Sequence, residues 1–380
     1  MEQPRLNGGY VKKRISWNNE TLRQDYGKDY IGRVPKYDGF CTVPEHIGYR
    51  SVVGKFLNLY EPIDHVPRQG DFPSIRSLLH HIFGEQYELG MDYLQLLYLQ
   101  PIQKLPILLL VSEERNTGKS TFLNFLKALF QNNVTFNTNE DFRSQFNSDW
   151  AGKLLIVVDE VLLNRREDSE RLKNLSTTFT YKVEAKGKDR TEIAFFAKFV
   201  LCSNNEYLPI LIDAGETRYW VRKIMPLQSD DTNFLQKLKT EIPAFLYFLT
   251  QRKLSTAQES RMWFNPKLIY TAALQKIIRS NRNRLEIEMT ELLLDIMSNM
   301  NVESVSFCLN DLVTLLIYAQ VKVEKYQVRK VGQEVWKLTS AHNSLSYTAY
   351  EFAPHRECHY EPKRKTGRFY TITKEQLTAI

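Results

Sequence analysis

The chain is poor in the features that mark secreted, membrane-spanning and disulfide-linked proteins. Its four cysteines are widely scattered and form no C-x-x-C pair, so neither a disulfide framework nor a zinc ribbon is indicated. No stretch approaches the roughly 18 apolar residues of a membrane span. The first residues lack the apolar core of a signal peptide. We therefore expect a cytoplasmic protein with no membrane partner.

Regular metal-ligand spacing is also missing. His80 and His81 are adjacent, so on a helix they point in different directions and cannot share one metal ion well. His355, Cys358 and His359 have irregular spacing and no evident fourth ligand. Zinc is not expected, and the two adjacent histidines are interpreted as exposed or hydrogen-bonded.

The charge of the chain is modest. Lys and Arg number 51 against 44 Asp and Glu, a formal net charge of +7. This balance is compatible with nucleic acid as a partner but does not argue for it alone. With 43% hydrophobic and 25% charged residues, the 380-residue chain has the composition of a globular protein of two or three domains.

A strand, a polar loop and a helix follow one another from Ile107 to Phe130. Ile107 to Val111 is a continuous apolar run, which is typical of a strand buried on both faces. The loop ends in Gly-Lys-Ser, the context of a phosphate-binding loop at a helix N-terminus. Lys119 would reach the β- and γ-phosphates, and the Ser120 hydroxyl would hold Mg²⁺. The predicted ATP-binding residues are Arg115, Asn116, Thr117, Gly118, Lys119, Ser120 and Thr121.

The loop departs from the full phosphate-loop pattern at one position. That pattern begins with Gly five residues before Gly118, where this chain has Glu113. Glycine normally allows the backbone conformation of the first turn, and a carboxylate there would lie near the phosphates unless it points away. We expect a rebuilt loop entrance, with Arg115 as a local compensating charge.

Two further apolar strands end in polar side chains. Leu154 to Val158 runs into Asp159 and Glu160, which predicts a Mg²⁺ contact from Asp159 and a water-positioning role for Glu160. The strand from Lys198 ends in Asn204 and Asn205. Asn204 is preferred as the sensor of the γ-phosphate. Acids and amides at strand ends are also common surface and turn residues.

Arginines and a basic hairpin complete the central region. Arg218 and Arg222 are candidates for a residue that acts on the γ-phosphate of a neighbouring subunit, although each could be a surface arginine. Alternating residues from Tyr181 to Phe195 predict a β-hairpin. Its turn would carry the DNA-contacting residues Lys186, Lys188 and Arg190, or be a solvated tip.

The C-terminal segment concentrates positive charge. From Lys325 to Tyr370 there are nine Lys or Arg residues against four Glu. Helices followed by two strand-like runs with a basic loop suggest a winged-helix domain. Its candidate DNA contacts are Lys337, in a basic helix over 325–338, and Lys363, Arg364 and Lys365 in the loop. We prefer DNA contact to the alternative of a packing or oligomerisation domain with a solvated basic loop.

These patterns predict an α/β fold in five parts. An N-terminal arm over 1–73 precedes a helical collar over 74–100, whose helical pattern breaks at Gly90. A phosphate-loop NTPase core with a parallel sheet covers 101–252. A helical linker over 253–300 leads to the winged-helix-like domain over 301–380.

Between Glu113 and Arg218 the chain resembles a superfamily 3 helicase of the phage and plasmid primase-helicase type. The shared order is phosphate loop, acidic strand, basic hairpin, Asn-ended strand and arginine. The resemblance implies an AAA+ ring, as a hexamer on single-stranded DNA, with ATP and Mg²⁺ bound between subunits. Lys119, Ser120, Asp159 and Glu160 would serve one subunit's ATP with Asn204, and Arg218 the neighbour's. It also implies a primase or initiator protein as a partner, in a bacterial or phage-infected cell.

Two other functions remain open from the sequence. A DNA-binding initiator or switch would use the nucleotide site to control assembly with little turnover, and Glu113 is the feature that favours it. A phosphate-loop kinase would transfer phosphate to a small acceptor and leave the basic C-terminal segment without a role.

Overall fold

The structure, a computed structural model, divides the chain into two compact units. The first comprises Met1–Ile210 with Thr217–Leu274, and the second comprises Leu211–Glu216 with Gln275–Ile380. The residues described are 2–4, 10–12, 17–144, 150, 152–163, 165–183, 191–213, 215–227, 231–281, 284–321, 323–354 and 359–379. In these ranges no helix is both long enough and apolar enough to cross a membrane.

The N-terminal part of the first unit contains short elements. They are β1 (Glu2–Pro4), β2 (Tyr10–Lys12), α1 (Asn19–Tyr26), a 3-10 helix (Lys28–Arg33), β3 (Gly39–Cys41), β4 (Val52–Val53) and β5 (Phe56–Asn58). β1 pairs with β2, and β3, β5 and β4 form a three-stranded sheet. His46 connects this segment to the core, because its Nδ1 donates to the carbonyl of Tyr98 at 2.8 Å and its Nε2 lies 2.7 Å from the hydroxyl of buried Tyr60.

The remaining elements of the first unit build a layered α/β core. They are α2 (Pro73–Phe83), α3 (Tyr87–Leu99), β6 (Ile107–Val111), α4 (Lys119–Phe130), β7 (Val134–Phe136), α5 (Asn139–Arg143), β8 (Leu155–Val158), α6 (Arg166–Thr177), β9 (Thr180–Val183), β10 (Thr191–Ala194), β11 (Lys198–Ser203), β12 (Tyr219–Lys223), α7 (Phe234–Gln251) and α8 (Pro266–Ile269). Helix α9 (Ala272–Ser280) begins in the first unit, and its residues from Gln275 onward belong to the second. Five of the strands form one parallel sheet in the order β12-β6-β11-β8-β7.

The order of this sheet determines where polar strand ends meet. β11 lies between the strand that precedes the loop, β6, and the acidic strand, β8. Ser203 pairs with Val111, and Leu201 pairs with Val158. Because parallel strands point the same way, all three carboxyl ends lie at one edge of the sheet, where α/β proteins bind ligands. Every residue of β6, β8 and β11 is buried, as their apolar runs predict.

Gly90 lies inside α3 and does not interrupt it, contrary to the sequence expectation. The break between α2 and α3 falls at Gly84, whose φ of +48° favours glycine. At Gly90 an added Cβ would lie 2.3 Å from the ring of Phe83. The glycine is therefore required for close packing of the two helices.

A buried carboxylate ties α3 to the chain that follows α7. Asp92 is fully buried and accepts hydrogen bonds from the backbone N–H groups of Ser255 and Thr256 at 3.0 and 2.8 Å. It also pairs with Arg252, which contacts exposed Glu88 as well. Burial alone would raise the pKa of Asp92, but the hydrogen bonds from Thr256, Ser255 and Arg252 together lower it.

We expect Asp92→Ala to lower the free energy of unfolding by about 3 kcal/mol, because it removes a buried carboxylate and leaves the donors of Ser255, Thr256 and Arg252 that it accepts from unpaired. Glu88→Gln is the control, expected within about 0.5 kcal/mol because that carboxylate is exposed. Since the pKa of Asp92 is lowered on folding, its contribution is present at neutral pH and is lost as the pH falls through that lowered pKa. Urea unfolding at pH 7 and pH 3 checks both points. An equal loss for the two variants would contradict this account.

The predicted hairpin is formed by β9 and β10. They pair antiparallel, with Val183 opposite Thr191 and Thr180 opposite Ala194. Tyr181, Trp150 and Phe195 pack around its foot. The predicted DNA-contacting residues of the turn, Lys186, Lys188 and Arg190, lie outside the described residues.

The second unit has its own hydrophobic core. Its elements are α10 (Arg284–Met300), β13 (Ser304–Phe307), α11 (Leu309–Tyr318), α12 (Lys325–Lys330), a π-helical turn (Val331–Val335), β14 (Leu345–Phe352), β15 (Tyr360–Gly367), β16 (Tyr370–Thr373) and α13 (Lys374–Ala379). β14 and β15 form an antiparallel pair, and β13 pairs with β16.

Two predictions about the basic residues of this unit are wrong, one for the loop that would carry Lys363, Arg364 and Lys365 and one for the helix that would carry Lys337. Lys363, Arg364 and Lys365 lie within strand β15 and not in a loop, because they pair with Ala349, Thr348 and Tyr347 of β14.

The positive charge of these lysines is partly balanced. Lys363 lies 2.8 Å from Glu351, and Lys365 lies 2.8 Å from Asp311. Exposed Lys337 follows the π-helical turn, with φ of +53°, so it is not part of a basic helix over 325–338.

Candidate nucleotide-binding site

The loop before α4 has the backbone geometry of an anion cradle. Gly118 has φ of +77° and Asn116 has φ of +54°, so the chain turns sharply before the helix begins at Lys119. Within the described chain, the backbone N–H groups of Arg115–Lys119 have no acceptor. Such N–H groups at a helix N-terminus favour phosphate.

The outward-facing carbonyls of the loop are held by more distant segments. Nε2 of His81 donates to the carbonyl of Thr117 at 3.0 Å. The N–H of Leu227 donates to the carbonyl of Asn116 at 2.9 Å. His81 is therefore hydrogen-bonded, in line with one of its two interpretations, and it also positions the loop. That role was missed, because nothing near His81 in the sequence refers to the loop.

Lys119 is buried among oxygen acceptors. Its Nζ donates to Thr117 Oγ1 at 3.1 Å and to Asn204 Oδ1 at 3.0 Å, and also to Ser112 Oγ. Burial lowers the pKa of Lys119, and the nearby charges of Asp159 and Glu160 act in the opposite direction. A bound phosphate would supply the negative counter-charge that the buried ammonium group of Lys119 lacks.

Side chains that follow β8 and β11 lie beside Lys119 and Ser120. Ser120 Oγ donates to Asp159 Oδ2 at 2.7 Å. Asn204 Nδ2 donates to Glu160 Oε1 at 3.3 Å, while its Oδ1 accepts from Lys119. Asn204 thus bridges the loop lysine and the second acid, as a strand placed between β6 and β8 allows.

Mg²⁺ fits the donors at this point. The Ser120 hydroxyl and the Asp159 carboxylate are hard oxygen ligands, and Mg²⁺ is usually bound by one or two protein groups together with phosphate and water. The described residues contain no group of three or more His, Cys, Asp or Glu that would make a self-sufficient metal site.

Asn139 orients Glu160, and the sequence did not reveal this. Its Oδ1 accepts from the N–H of Leu162 at 2.9 Å, and its Nδ2 donates to the carbonyl of Glu160 at 3.2 Å. Glu160 has φ of +68°, a conformation that costs free energy in a non-glycine residue. Asn139 helps to hold this conformation at the sheet edge.

The two asparagines after β11 have different partners. The side chain of Asn205 accepts from the N–H groups of Tyr207 and Leu208, both at 2.9 Å, and so forms a turn. Asn204 alone contacts Lys119 and Glu160. This geometry favours Asn204 over Asn205 as the sensor.

The backbone at Glu113 does not adopt a conformation that requires glycine. It is not among the described residues with positive φ, and its side chain is exposed. Its backbone N–H donates to Glu206 Oε1 at 3.2 Å. Glu206 is buried and its other oxygen lies 3.1 Å from Nζ of Lys223. A carboxylate from another strand end thus anchors the loop entrance.

The two candidate arginines lie in different surroundings. Arg222 is 8% exposed and pairs with Glu85 and Gln86, so it packs within its own unit. Arg218 is half-buried just before β12, and its carbonyl accepts from the N–H of Ile107 at the start of β6. It therefore lies at the opposite edge of the sheet from the loop that follows Val111. Arg115 is exposed in the loop and Thr121 lies in the first turn of α4.

A family model matches the central part of the chain. A family of unknown function, DUF5906, matches residues 110–219, from the strand before the loop to the start of β12. No curated protein matches the chain.

Solved structures of the NrS-1 C-terminal region are similar. The apo structure of residues 305–718 has a TM-score of 0.65 at 17% identity, covering 95% of this chain and 91% of that chain. Two A-form apo structures have TM-scores of 0.61 at 16% identity, covering 96% and 91%, and 0.56 at 20% identity, covering 86% and 78%. At these identities the similarity is one of fold.

Proposed function

We propose that this protein is an ATP-dependent DNA helicase, a ring-forming translocase on single-stranded DNA in the replication of a phage or mobile element. The observation that carries the proposal is the hydrogen-bonded series from Lys119 through Asn204 to Glu160, beside Ser120 and Asp159. It joins a phosphate-binding cation, an amide and a carboxylate at one point, which is what hydrolysis of a nucleoside triphosphate requires.

Each residue of this series has a step to perform. The loop N–H groups and Lys119 bind and orient the β- and γ-phosphates. Ser120 and Asp159 hold Mg²⁺, which offsets phosphate charge. Glu160 positions the attacking water and accepts its proton, and Asn204 links this carboxylate to the phosphate end of the site.

The position of Arg218 supports a site shared between subunits. Tyr219, the next residue, pairs with Ile107, and the loop begins only after Val111. Ile107 and Val111 are four residues apart along β6, a distance of about 13 Å. Arg218 is therefore remote from the loop of its own subunit. Acting on a neighbouring subunit's ATP would give it a role.

DNA contact is assigned to the β9–β10 hairpin and the second unit. Arg364 and Lys337 are exposed, whereas Lys363 and Lys365 are partly balanced by Glu351 and Asp311. Contacts of this kind follow the phosphate backbone without reading sequence. The alternative, a switch with little turnover, was favoured by Glu113 in place of glycine. Because the loop entrance is anchored at Glu113 without a positive φ, this argument for the switch is weaker.

The proposal is tested by ATP hydrolysis with and without single-stranded oligonucleotides, together with separation of a forked duplex. We expect DNA to stimulate hydrolysis and ATP to be required for separation. ATP binding and DNA binding without stimulated hydrolysis would favour the switch. Phosphate transfer to a small acceptor in place of water would favour the kinase.

Mixing two inactive variants tests the shared site. Lys119→Ala removes the loop cation and Arg218→Ala removes the proposed neighbour's arginine, so each protein alone should be inactive. In random mixed rings about one quarter of interfaces would combine an intact loop with an intact arginine, and a corresponding fraction of hydrolysis should return. No recovery, with subunit exchange shown by light scattering and labelled subunits, would contradict action across subunits.

A further inference from the structure

A pocket opens beside the foot of the β9–β10 hairpin, at the sheet edge opposite the nucleotide site. Its volume is about 590 Å³, and its walls include Ile102, Lys104, Phe179 and Arg261 of the first unit. Phe179 directly precedes β9, and Lys104 lies just before β6. No residue of the nucleotide site lines this pocket.

Lys104 is a buried cation whose charge is not neutralised. It is 4% exposed, and its Nζ donates to the carbonyl of Phe195 at 2.7 Å. An ammonium has three donors, and within the described ranges Lys104 has no carboxylate partner. Lys198, fully buried nearby, donates to the carbonyl of Pro101, and burial lowers its pKa well below the usual range. Burial lowers the pKa of Lys104 to about 8, a penalty that a bound anion would offset.

The other charges of the pocket leave this positive balance intact. Glu45 lines the pocket, but its carboxylate is paired with Arg50 at 2.9 Å. Exposed Arg261 has no ion pair in the part of the chain that the structure describes. The pocket is therefore complementary to an anion.

Phe179 presents an exposed aromatic ring on a hydrogen-bonded stretch of backbone. It is 69% exposed, yet its carbonyl accepts from the N–H of Phe195 at 2.8 Å. Nζ of Lys104 lies 5.4 Å from the centre of its ring. An exposed ring that lies beside a cation is suited to stacking a planar base.

We propose that this pocket binds one nucleotide of single-stranded DNA, with the base on Phe179 and the phosphate near Lys104 and Arg261. The inference rests on the proposed function and adds a contact to it. A single DNA strand that runs along the β9–β10 hairpin would reach the pocket beside Phe179. The combination of anion complementarity and a stacking ring selects a nucleotide over an apolar side chain.

Phe179→Ala tests the pocket, with Phe40→Ala as the matched control. Both side chains are 69% exposed, so neither change should affect folding, and Phe40, in β3, does not line the pocket. Fluorescence anisotropy with labelled oligothymidylate should show about tenfold weaker binding for Phe179→Ala and no change for Phe40→Ala. Phe179→Trp should bind as well as the unchanged protein.

Two further measurements identify the contact. Oligomers with abasic positions should lose affinity for the unchanged protein and less for Phe179→Ala, because only the former has a ring to stack on. Arg261→Gln should reduce the salt dependence of binding by about one phosphate contact.

The outcomes separate this inference from the proposed function. If the unchanged protein binds DNA and Phe179→Ala binds equally well, the pocket is not a DNA site, and the helicase proposal stands. If Phe179→Ala changes the assembly state in light scattering while affinity per ring is constant, the pocket is a subunit contact, and the inference fails. If the unchanged protein does not bind single-stranded DNA, the helicase proposal fails, and this inference fails with it.

Discussion

Lys119→Ala is expected to lower kcat/KM for ATP by about 10³-fold or more. The ammonium binds the β- and γ-phosphates in the proposed mechanism and offsets charge that develops in the transition state. Its present partners, Thr117, Ser112 and Asn204, are neutral and cannot replace it. Binding of a fluorescent ATP analogue should weaken together with hydrolysis and strand separation.

The same substitution should leave the fold intact. Burial of Lys119 already disfavours its charge, as the lowered pKa shows, so removing it does not expose the protein to an unpaired buried ion. Lys267→Ala, at an exposed position of α8, is the control and should have normal activity. Circular dichroism and thermal unfolding establish folding. Unchanged hydrolysis in folded Lys119→Ala would refute the assignment of the nucleotide site.

Glu160→Gln is expected to lower kcat for ATP hydrolysis by about 10²- to 10⁴-fold with ATP affinity retained. Glutamine keeps an oxygen that can accept from Asn204, so the local geometry should persist, but an amide cannot accept the proton of the attacking water. Single-turnover hydrolysis measured beside nucleotide binding checks this separation.

Glu167→Gln, at an exposed position in the first turn of α6, is the matched control for the loss of one carboxylate. It should hydrolyse ATP at the normal rate. Robust unwinding by Glu160→Gln would reassign the water-activating residue, with Asp159 the next carboxylate to test. Loss of ATP binding would instead indicate that Glu160 holds the metal or the loop.

Much of the central fold could be predicted because its signals are local. An apolar run predicts each of β6, β8 and β11, and helical spacing predicts α4. The polar residues that follow β8 and β11 were therefore identified, and parallel strands bring those ends together. The sequence could not show that β11 lies between the other two, which is why Asn204 contacts both Lys119 and Glu160.

Signals in the C-terminal unit were weaker. A run of Lys363, Arg364 and Lys365 is typical of a basic loop, yet pairing with β14 makes it a strand. Local composition does not reveal Asp311, which lies 54 residues from Lys365 and neutralises it. Cross-strand pairing outweighed the turn-like composition at this position.

The sequence by itself determined which residues belong to the candidate nucleotide site: a loop that ends in Gly-Lys-Ser, and two acids and an amide at strand ends. It also indicated a basic hairpin. Only the tertiary structure decided how these residues are held. His81 supports the loop from 36 residues away, and Glu206 anchors Glu113 across 93 residues. Strand and helix formation depends on neighbours in sequence, whereas these hydrogen bonds depend on which strands and helices pack side by side. That dependence also explains why the pocket beside Phe179 is visible only in the folded chain.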